Sequence, residues 1–258
     1  YHGSAILNED YTDPADYSRW KGGKEYKSEQ LDTDGATVLR TITQTWAQRP
    51  GEPDEPIWWT GMSQNVYPPN DPRMTLAQTT LEDQQTGSKV EYEYDRFNNR
   101  TRAKEYGYGS PAGSLVRETI STFVTSEFGP DYATDLSIHL RRLPKSKVVK
   151  NASGQTTAST QFFYDEGAVA GYADISMHCS RTADPPGEGA CSLTSNRGNL
   201  TRLVRWNNTG ADVTRTWTYD TAGNVLTATD GNSNTTTASY ADDFTTTTNL
   251  AGEASYAY

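Results

Sequence analysis

The chain has 258 residues, which is enough for one large domain or two small ones. Its 33 acidic and 23 basic residues give a formal net charge of −10, the wrong sign for holding a phosphate backbone, so nucleic acid is not an expected partner. No apolar run approaches the roughly 20 residues of a membrane-spanning helix. Sixteen tyrosines and six tryptophans predict a β-protein whose interior is filled largely by aromatic side chains.

The first distinctive segment is a Pro-rich stretch, residues 49–72, which cannot hold a continuous strand ladder. It is predicted to leave the sheet as a long surface excursion. Trp58 and Trp59 lie within it. They form either an exposed platform for sugars or another protein, or a cover for one face of the sheet, as large apolar groups usually do.

The segments after this excursion alternate in the way that half-buried strands do. In residues 90–94, valine and tyrosine alternate with glutamates predicted to point outward. In residues 213–219, one face carries Trp217 and Tyr219 and the opposite face carries threonine. Residues 115–124 and 159–164 are further predicted strands. Because β-branched residues favour pleated structure, the sequence predicts an all-β fold with almost no helix.

Short turn units recur between these strands, each with Asp or Asn followed three residues later by Gly. Asp or Asn at the first position of a type I turn accepts a hydrogen bond from the amide two residues on, and Gly at the fourth takes a positive φ. Such turns join antiparallel strands and predict a hairpin meander. The units contain Asp32 and Gly35; Tyr94 and Asp95, with Asn98 for Gly; Asn151 and Gly154; Tyr164 and Asp165, with Gly167 one place early; Asn207 and Gly210; and Tyr219, Asp220 and Gly223.

A second irregular stretch, residues 178–191, is bracketed by the only two cysteines, Cys179 and Cys191. These could close one disulfide loop, which would fit an oxidising, extracellular setting. The alternative is two reduced thiols in a surface loop.

Residues 217–226, Trp-Thr-Tyr-Asp-Thr-Ala-Gly-Asn-Val-Leu, resemble the RHS or YD repeat, and residues 197–201, Arg-Gly-Asn-Leu-Thr, are similar to the same repeat. This tyrosine–aspartate repeat occurs in bacterial Rhs and wall-associated proteins, toxin-complex C subunits and teneurins. The resemblance implies that residues 1–258 are a segment of a longer chain whose antiparallel sheet winds in a spiral and forms a shell. It also implies that Tyr94, Tyr164, Tyr219 and Tyr240 are stacking residues and that Asp95, Asp165 and Asp220 form the turns.

In that family the shell encloses a toxin or serves as an extracellular scaffold for adhesion. This sequence shows no C-terminal core with the Asp-Pro-x-Gly cleavage signature and no toxin domain after it. Toxin delivery by this chain itself is therefore not expected.

The sequence offers little for catalysis or for cofactor and metal binding. The three histidines do not pair at ligand spacing, and a structural zinc site needs four convergent ligands. Residues 230–234 mimic the start of a calcium loop, but Thr235 replaces its glycine and Ala241 its closing glutamate, so a hairpin turn is expected. We expect no cofactor, no metal and no enzymatic activity.

The favoured interpretation is a non-catalytic scaffold or shell segment that is extracellular or on a cell surface. Its expected partners are neighbouring repeats or other copies of the chain, which would join through open sheet edges. The second hypothesis is a carbohydrate- or partner-binding β-module that uses Trp58, Trp59 and nearby tyrosines. A glycosidase-like enzyme is the third, because carboxylates are plentiful.

Overall fold

The computed structural model describes residues 22–50, 72–82, 84–128, 131–133, 140–170, 179–180, 192–193, 196–220 and 223–239. All regular elements in these ranges are β-strands, which confirms the predicted all-β class. None of the described residues belongs to a helix long and apolar enough to cross a membrane. The strands are β1 (Lys27–Leu31), β2 (Val38–Gln48), β3 (Pro72–Leu81), β4 (Gly87–Tyr94), β5 (Arg100–Gly109), β6 (Leu115–Phe123), β7 (Pro144–Asn151), β8 (Thr156–Tyr164), β9 (Cys179–Ser180), β10 (Ser192–Leu193), β11 (Leu200–Arg205), β12 (Val213–Tyr219), β13 (Val225–Thr229) and β14 (Thr235–Thr237).

Twelve of these strands lie side by side in chain order, from β1 to β8 and then from β11 to β14. The sheet is antiparallel, as the hairpin-meander prediction requires. Strands β9 and β10 pair with each other in a separate two-stranded sheet. Consecutive strands are paired because the connections between most of them are short turns.

Threonine lines one face of the last three strands, as the alternation in residues 213–219 predicts. The hydroxyls of Thr218 and Thr227 lie 2.6 Å apart across β12 and β13, and those of Thr229 and Thr235 lie 2.9 Å apart. Such cross-strand hydroxyl pairs stabilise a sheet and suit β-branched residues. On the other face Trp217 and Tyr219 are half-buried.

The chain divides into two compact units, and the first contains residues 1–121 and 148–157. Its strands β1 to β5 form a sheet in which most side chains are half-buried. Glu91 is half-buried on the same face of β4 as Glu93, and its carboxylate accepts from the Tyr106 hydroxyl at 2.9 Å and pairs with Lys89 at 2.6 Å. Glu93 is exposed, as expected.

The second unit, residues 122–147 and 158–258, holds every fully buried apolar side chain of the described residues. The buried cluster consists of Val124, Tyr132 and Tyr164. Phe128, Leu140, Leu143, Phe162 and Leu200 pack around it. Phe128 meets the Tyr164 ring edge to face at a centroid distance of 6.4 Å, a favourable aromatic geometry.

The connection between β6 and β7, residues 124–143, supplies five of these eight core residues. Two backbone hydrogen bonds join the early and late parts of the connection. The Val124 amide donates to the Leu143 carbonyl at 2.8 Å, and the Leu140 amide donates to the Tyr132 carbonyl at 2.6 Å. Tyr132 is completely buried. No periodic pattern in the sequence marks this segment as part of the core.

Candidate functional site

The repeated turns are the structural feature that carries most of the predicted site residues. Three continuous turns share one geometry, here named the Asp–Asn turn and defined by Asp95 and Asn99, Asp220 and Asn224, and Asp230 and Asn234. In each, the first Asp Oδ1 accepts from the amide of the Asn four residues on, at 2.8, 2.8 and 2.9 Å respectively. The other carboxylate oxygen accepts from that Asn Nδ2 at 2.9, 2.9 and 3.1 Å.

The residue before each asparagine has a left-handed backbone. Its φ is 66° at Asn98, 89° at Gly223 and 66° at Ser233. Glycine adopts this conformation freely and asparagine tolerates it better than most residues, which explains the substitution of Asn98 for glycine. The Asp–Asn turn at residues 230–234 is therefore a hairpin turn, as the sequence analysis expected for this calcium-like segment.

A tyrosine hydroxyl anchors each of three strands, which end immediately before Asp95, Asp165 and Asp220. Tyr94, Tyr164 and Tyr219 are the last residues of β4, β8 and β12. Their hydroxyls donate to backbone carbonyls at or near the start of the preceding strand in the sheet: Met74 at 2.7 Å, Pro144 at 2.8 Å and Leu200 at 2.7 Å. The tyrosines therefore tie the end of one strand to the beginning of its neighbour.

Trp46 anchors β2 in the same way, with an indole N–H in place of a tyrosine hydroxyl. Its Nε1 donates to the Glu25 carbonyl at 2.8 Å, just before β1. The contact lies near the end of β2, where the other units place tyrosine. A large ring with one polar atom therefore serves as the common anchor, because its body covers the sheet while its tip satisfies a carbonyl.

Asp165 forms an Asp–Asn turn with a distant partner. Its amide donates to the Asn199 carbonyl at 2.9 Å, and its Oδ1 accepts from the Asn199 amide at 3.0 Å. The continuous turns make both contacts with the residue four positions on. In place of the asparagine side chain, Asp165 Oδ2 accepts from the Gly198 amide and the Tyr132 hydroxyl, both at 2.8 Å. Asn199 Nδ2 is buried and has no hydrogen-bond partner among the described residues.

Burial and these hydrogen bonds shift the tyrosine pKa values upward. Burial raises the pKa of Tyr164 to about 12. Burial, and then the hydrogen bond to Asp165, raises the pKa of Tyr132 well above its usual range. Burial and the nearby charge of Asp165 raise the pKa of Tyr219. All three phenols therefore stay protonated in the folded protein well into the alkaline range.

We expect the protein to lose stability between about pH 10 and pH 12. The folded-state pKa of Tyr164 lies above the unfolded value near 10, so the contribution is complete below pH 10 and is lost as the pH rises through 12. A shift of two units corresponds to about 3 kcal/mol of unfolding free energy. The measurement is urea denaturation at a series of pH values, with phenolate absorbance at 295 nm. Stability that stays constant to pH 12 would contradict the assignment, and Tyr164→Phe should flatten the pH profile.

The other predicted turn residues behave differently from one another. Gly35 has a φ of 70° and its amide donates to the Asp32 carbonyl at 2.9 Å, but Asp34 accepts the amides of Ala36 and Thr37, both at 2.8 Å. The turn at Asn207 forms, because the Gly210 amide donates to the Asn207 carbonyl at 3.5 Å and the Thr209 amide donates to Asn207 Oδ1 at 3.3 Å. The positive φ predicted for Gly210 is wrong, and Asp212 also accepts from the Asn207 amide at 3.1 Å.

Several predicted residues lie outside what the structure describes. These are Trp58, Trp59, Tyr240 and the side chains of Cys179 and Cys191. The Cα register pairs Cys179 with Leu193 and Ser180 with Ser192, so the two flanks of the cysteine-bracketed loop run side by side. The disulfide itself stays a prediction.

Of the predicted excursion at residues 49–72, the structure describes only its ends. Pro72 begins β3 and pairs with Gln48. Arg49 is buried, and its guanidinium donates to the Arg96 carbonyl at 3.1 Å. The long connection after β2 therefore begins with a side chain that holds the Asp95 turn, a role that sequence reasoning missed.

The asparagine at the fifth position is a second feature that sequence reasoning missed. Its signal was present, because Asp or Asn is followed four residues later by Asn or Gln in three of the six predicted units and in the predicted hairpin turn at residues 230–234. Asn151 repeats the scheme with Gln155, whose amide donates to Asn151 Oδ1 at 3.0 Å.

Among the described residues, no group of three or more His, Cys, Asp or Glu side chains could hold a metal ion.

The fold and turns define this chain as an antiparallel β-sheet protein built from recurring, ring-anchored hairpin turns. No family model and no curated protein matches the sequence. Among solved structures, it is similar to the crystal structure of TcdB2-TccC3-TEV, with 14% identity and a TM-score of 0.24 over 79% of this chain. The chain spans 9% of the length of that chain.

Proposed function

We propose that this chain is a non-catalytic segment of an RHS-repeat scaffold or shell that acts outside the cell or on its surface. The observation that carries the proposal is the recurrence of one hydrogen-bond set in three continuous turns and three tyrosine anchors. Each copy ties two neighbouring strands together. Repetition of a structural unit along a sheet is typical of an architectural protein.

The carboxylates of three turn aspartates are occupied by these structural contacts. The carboxylates of Asp95 and Asp220 accept from an amide and from an asparagine side chain, and Asp165 accepts from three donors. A general acid or base needs a proton that it can exchange with a substrate. Carboxylates held in this way favour the scaffold over the glycosidase hypothesis.

The partner we propose is a neighbouring repeat or a second copy that joins through the edge of β14. Among the described strands β14 has a neighbour on one side only. The Ala238 amide donates to the Leu226 carbonyl at 2.8 Å, and Thr237 is the register partner of Thr227. Inward and outward hydrogen bonding alternates along an antiparallel strand, so the amide and carbonyl of Thr237 point away from β13.

The two edge strands of the sheet, β1 and β14, differ in the features that disfavour pairing with another strand. Strand β1 carries the Lys27–Glu29 ion pair at 2.6 Å, and charged side chains are a common protection of edge strands. Strand β14 consists of three exposed threonines and has no charge. The uncharged edge is therefore the one that favours addition of another strand.

Sedimentation velocity over a range of concentrations tests this proposal. We expect wild-type protein to associate as its concentration rises, and Thr237→Pro to remain monomeric, because proline removes the outward amide and leaves the β13 ladder intact. Thr237→Val is the matched control, since it keeps the amide and the branched shape and should associate like wild type.

Equal sedimentation of wild type and Thr237→Pro at every concentration would count against pairing through this edge. A glycan array separates the scaffold from the carbohydrate-binding module. A scaffold should give no glycan signal. Specific glycan binding that Trp58→Ala abolishes would instead support the carbohydrate-binding module.

A further inference from the structure

The turn at Asp165 is completed across a long stretch of chain. Asp165 and Asn199 are 34 positions apart, yet they make the same backbone contacts as Asp220 and Asn224. Gly198 stands where Gly223 stands in the continuous turn, and its φ of 75° falls in the same left-handed region. The first and last parts of a five-residue turn therefore meet although separate segments supply them, and the Gly198 amide donates to Asp165 Oδ2 where the Gly223 amide donates to the Asp220 carbonyl.

Two independent observations favour glycine at position 198. The left-handed φ disfavours most side chains. An added Cβ would also lie 2.8 Å from Leu140 Cδ1 and 3.1 Å from Leu143 Cδ1, two side chains that pack around the buried cluster. The second part of the turn is thus fixed by the core as well as by Asp165.

The chain leaves the turn after Glu166 and returns to it at Arg197. The Glu166 amide donates to Thr201 Oγ1 at 3.2 Å, and its carboxylate pairs with the Arg202 guanidinium at 2.6 and 2.9 Å. Glu166 therefore still lies on the sheet beside β11. Asp165 has a φ of 55°, whereas Asp95, Asp220 and Asp230 have no positive φ. This difference marks the point where the backbone is diverted.

The described part of the intervening segment does not belong to the twelve-stranded sheet. Strands β9 and β10 form their own two-stranded sheet. The segment contacts the large sheet where the Ala170 amide donates to the Tyr219 carbonyl at 3.0 Å, beside an isolated bridge to Asp220. Strands β8 and β11 pair directly with each other: Thr160 is the register partner of Arg205, and Tyr164 is the register partner of Leu200. The residues between the two strands therefore do not interrupt their pairing.

We infer that residues 167–196 are an insertion within a single Asp–Asn turn and that Asp165 closes the turn across it. Removal of residues 167–196 would leave Asp165-Glu166-Arg197-Gly198-Asn199, which has the order and spacing of Asp220-Thr221-Ala222-Gly223-Asn224. The turn is thus a site where the scaffold carries additional chain without interrupting the sheet. This inference concerns folding and does not depend on the proposed scaffold function.

The test compares two deletions in the full chain. Deletion of residues 167–196 should give a folded protein whose melting temperature lies within about 5 °C of wild type, because a continuous turn replaces the long connection and the described contact of the deleted residues with the twelve-stranded sheet is the one at Ala170. Slow hydrogen exchange of the β8 and β11 amides should be retained. Deletion of residues 167–197 is the matched control: it brings Gly198 one position too close to Asp165, and we expect early melting and loss of that protection.

Two results would overturn the insertion. One is loss of the folded state on deletion of residues 167–196. The other is equal stability of the two deletions, which would mean that the five-residue spacing is irrelevant. As a second measurement, residues 168–195 are replaced by Gly-Ser linkers of two lengths. An insertion predicts that melting depends only weakly on linker length, and a steep dependence would also contradict it.

Discussion

Replacing Tyr132 with alanine is expected to destabilise the protein by about 3–5 kcal/mol, the range for removing a large aromatic side chain from a core. The ring is completely buried and packs in the cluster with Val124 and Tyr164. Its hydroxyl also donates to Asp165 Oδ2 at 2.8 Å, so the substitution removes a donor from the turn as well. Urea denaturation at pH 7 followed by circular dichroism measures the loss.

Tyr132→Phe separates the two contributions. It keeps the packed ring and removes the hydroxyl, and we expect a loss of about 1–2 kcal/mol because Asp165 retains the amides of Gly198 and Asn199. The free energy of unfolding could instead fall by less for Tyr132→Ala than the loss expected for Tyr132→Phe. That result would mean that the connection between β6 and β7 does not form the core of this unit.

The turns could be predicted from the sequence because their hydrogen bonds are local. Asp220 and Asn224 are four positions apart, and the residue types that accept at the first position or adopt a left-handed backbone are few. Tyr219 was identifiable for the same reason, since it stands next to a recognisable turn. Local spacing was therefore sufficient to predict the all-β class and the meander.

The core of the second unit could not be predicted in this way. Tyr132 meets Asp165 across 33 positions and belongs to no repeat. The sequence pairs Asp165 with Gly167 and shows residues 197–201 only as similar to the repeat, because Gly167 lies near Asp165 in sequence while Gly198 meets it only in the folded chain. In this unit tertiary contacts, which carry no periodic signal, decide which glycine completes the turn.

The first unit shows how a sheet can be stabilised when none of its described apolar side chains is fully buried. Cationic side chains lie over aromatic rings there: the Arg100 guanidinium lies 4.1 Å from the Tyr92 ring centroid, and the Lys89 ammonium lies 4.4 Å from the Tyr106 ring centroid. Cation–π contacts of this kind contribute about 0.5–1 kcal/mol each when exposed. Aromatic side chains thus contribute cohesion that aliphatic residues usually provide, in keeping with the composition.

Asp165→Ala is expected to destabilise the protein by about 3–5 kcal/mol, because one substitution deprives the Tyr132 hydroxyl and the amides of Gly198 and Asn199 of their acceptor. A buried donor left without a partner is more costly than the net gain from one hydrogen bond. The loss should exceed that of every single tyrosine-to-phenylalanine change. Urea denaturation and hydrogen exchange of the β11 amides measure it.

Asp230→Ala is the matched control for this substitution. Asp230 accepts the same local contacts from Asn232 and Asn234, but its turn is exposed and joins strands that are adjacent in sequence. Its loss should therefore be much smaller. Asp165→Asn keeps one acceptor oxygen and should fall between the two. If Asp165→Ala costs no more than Asp230→Ala, the carboxylate of Asp165 does not hold the three segments together, and the buried cluster alone positions Gly198 beside β8.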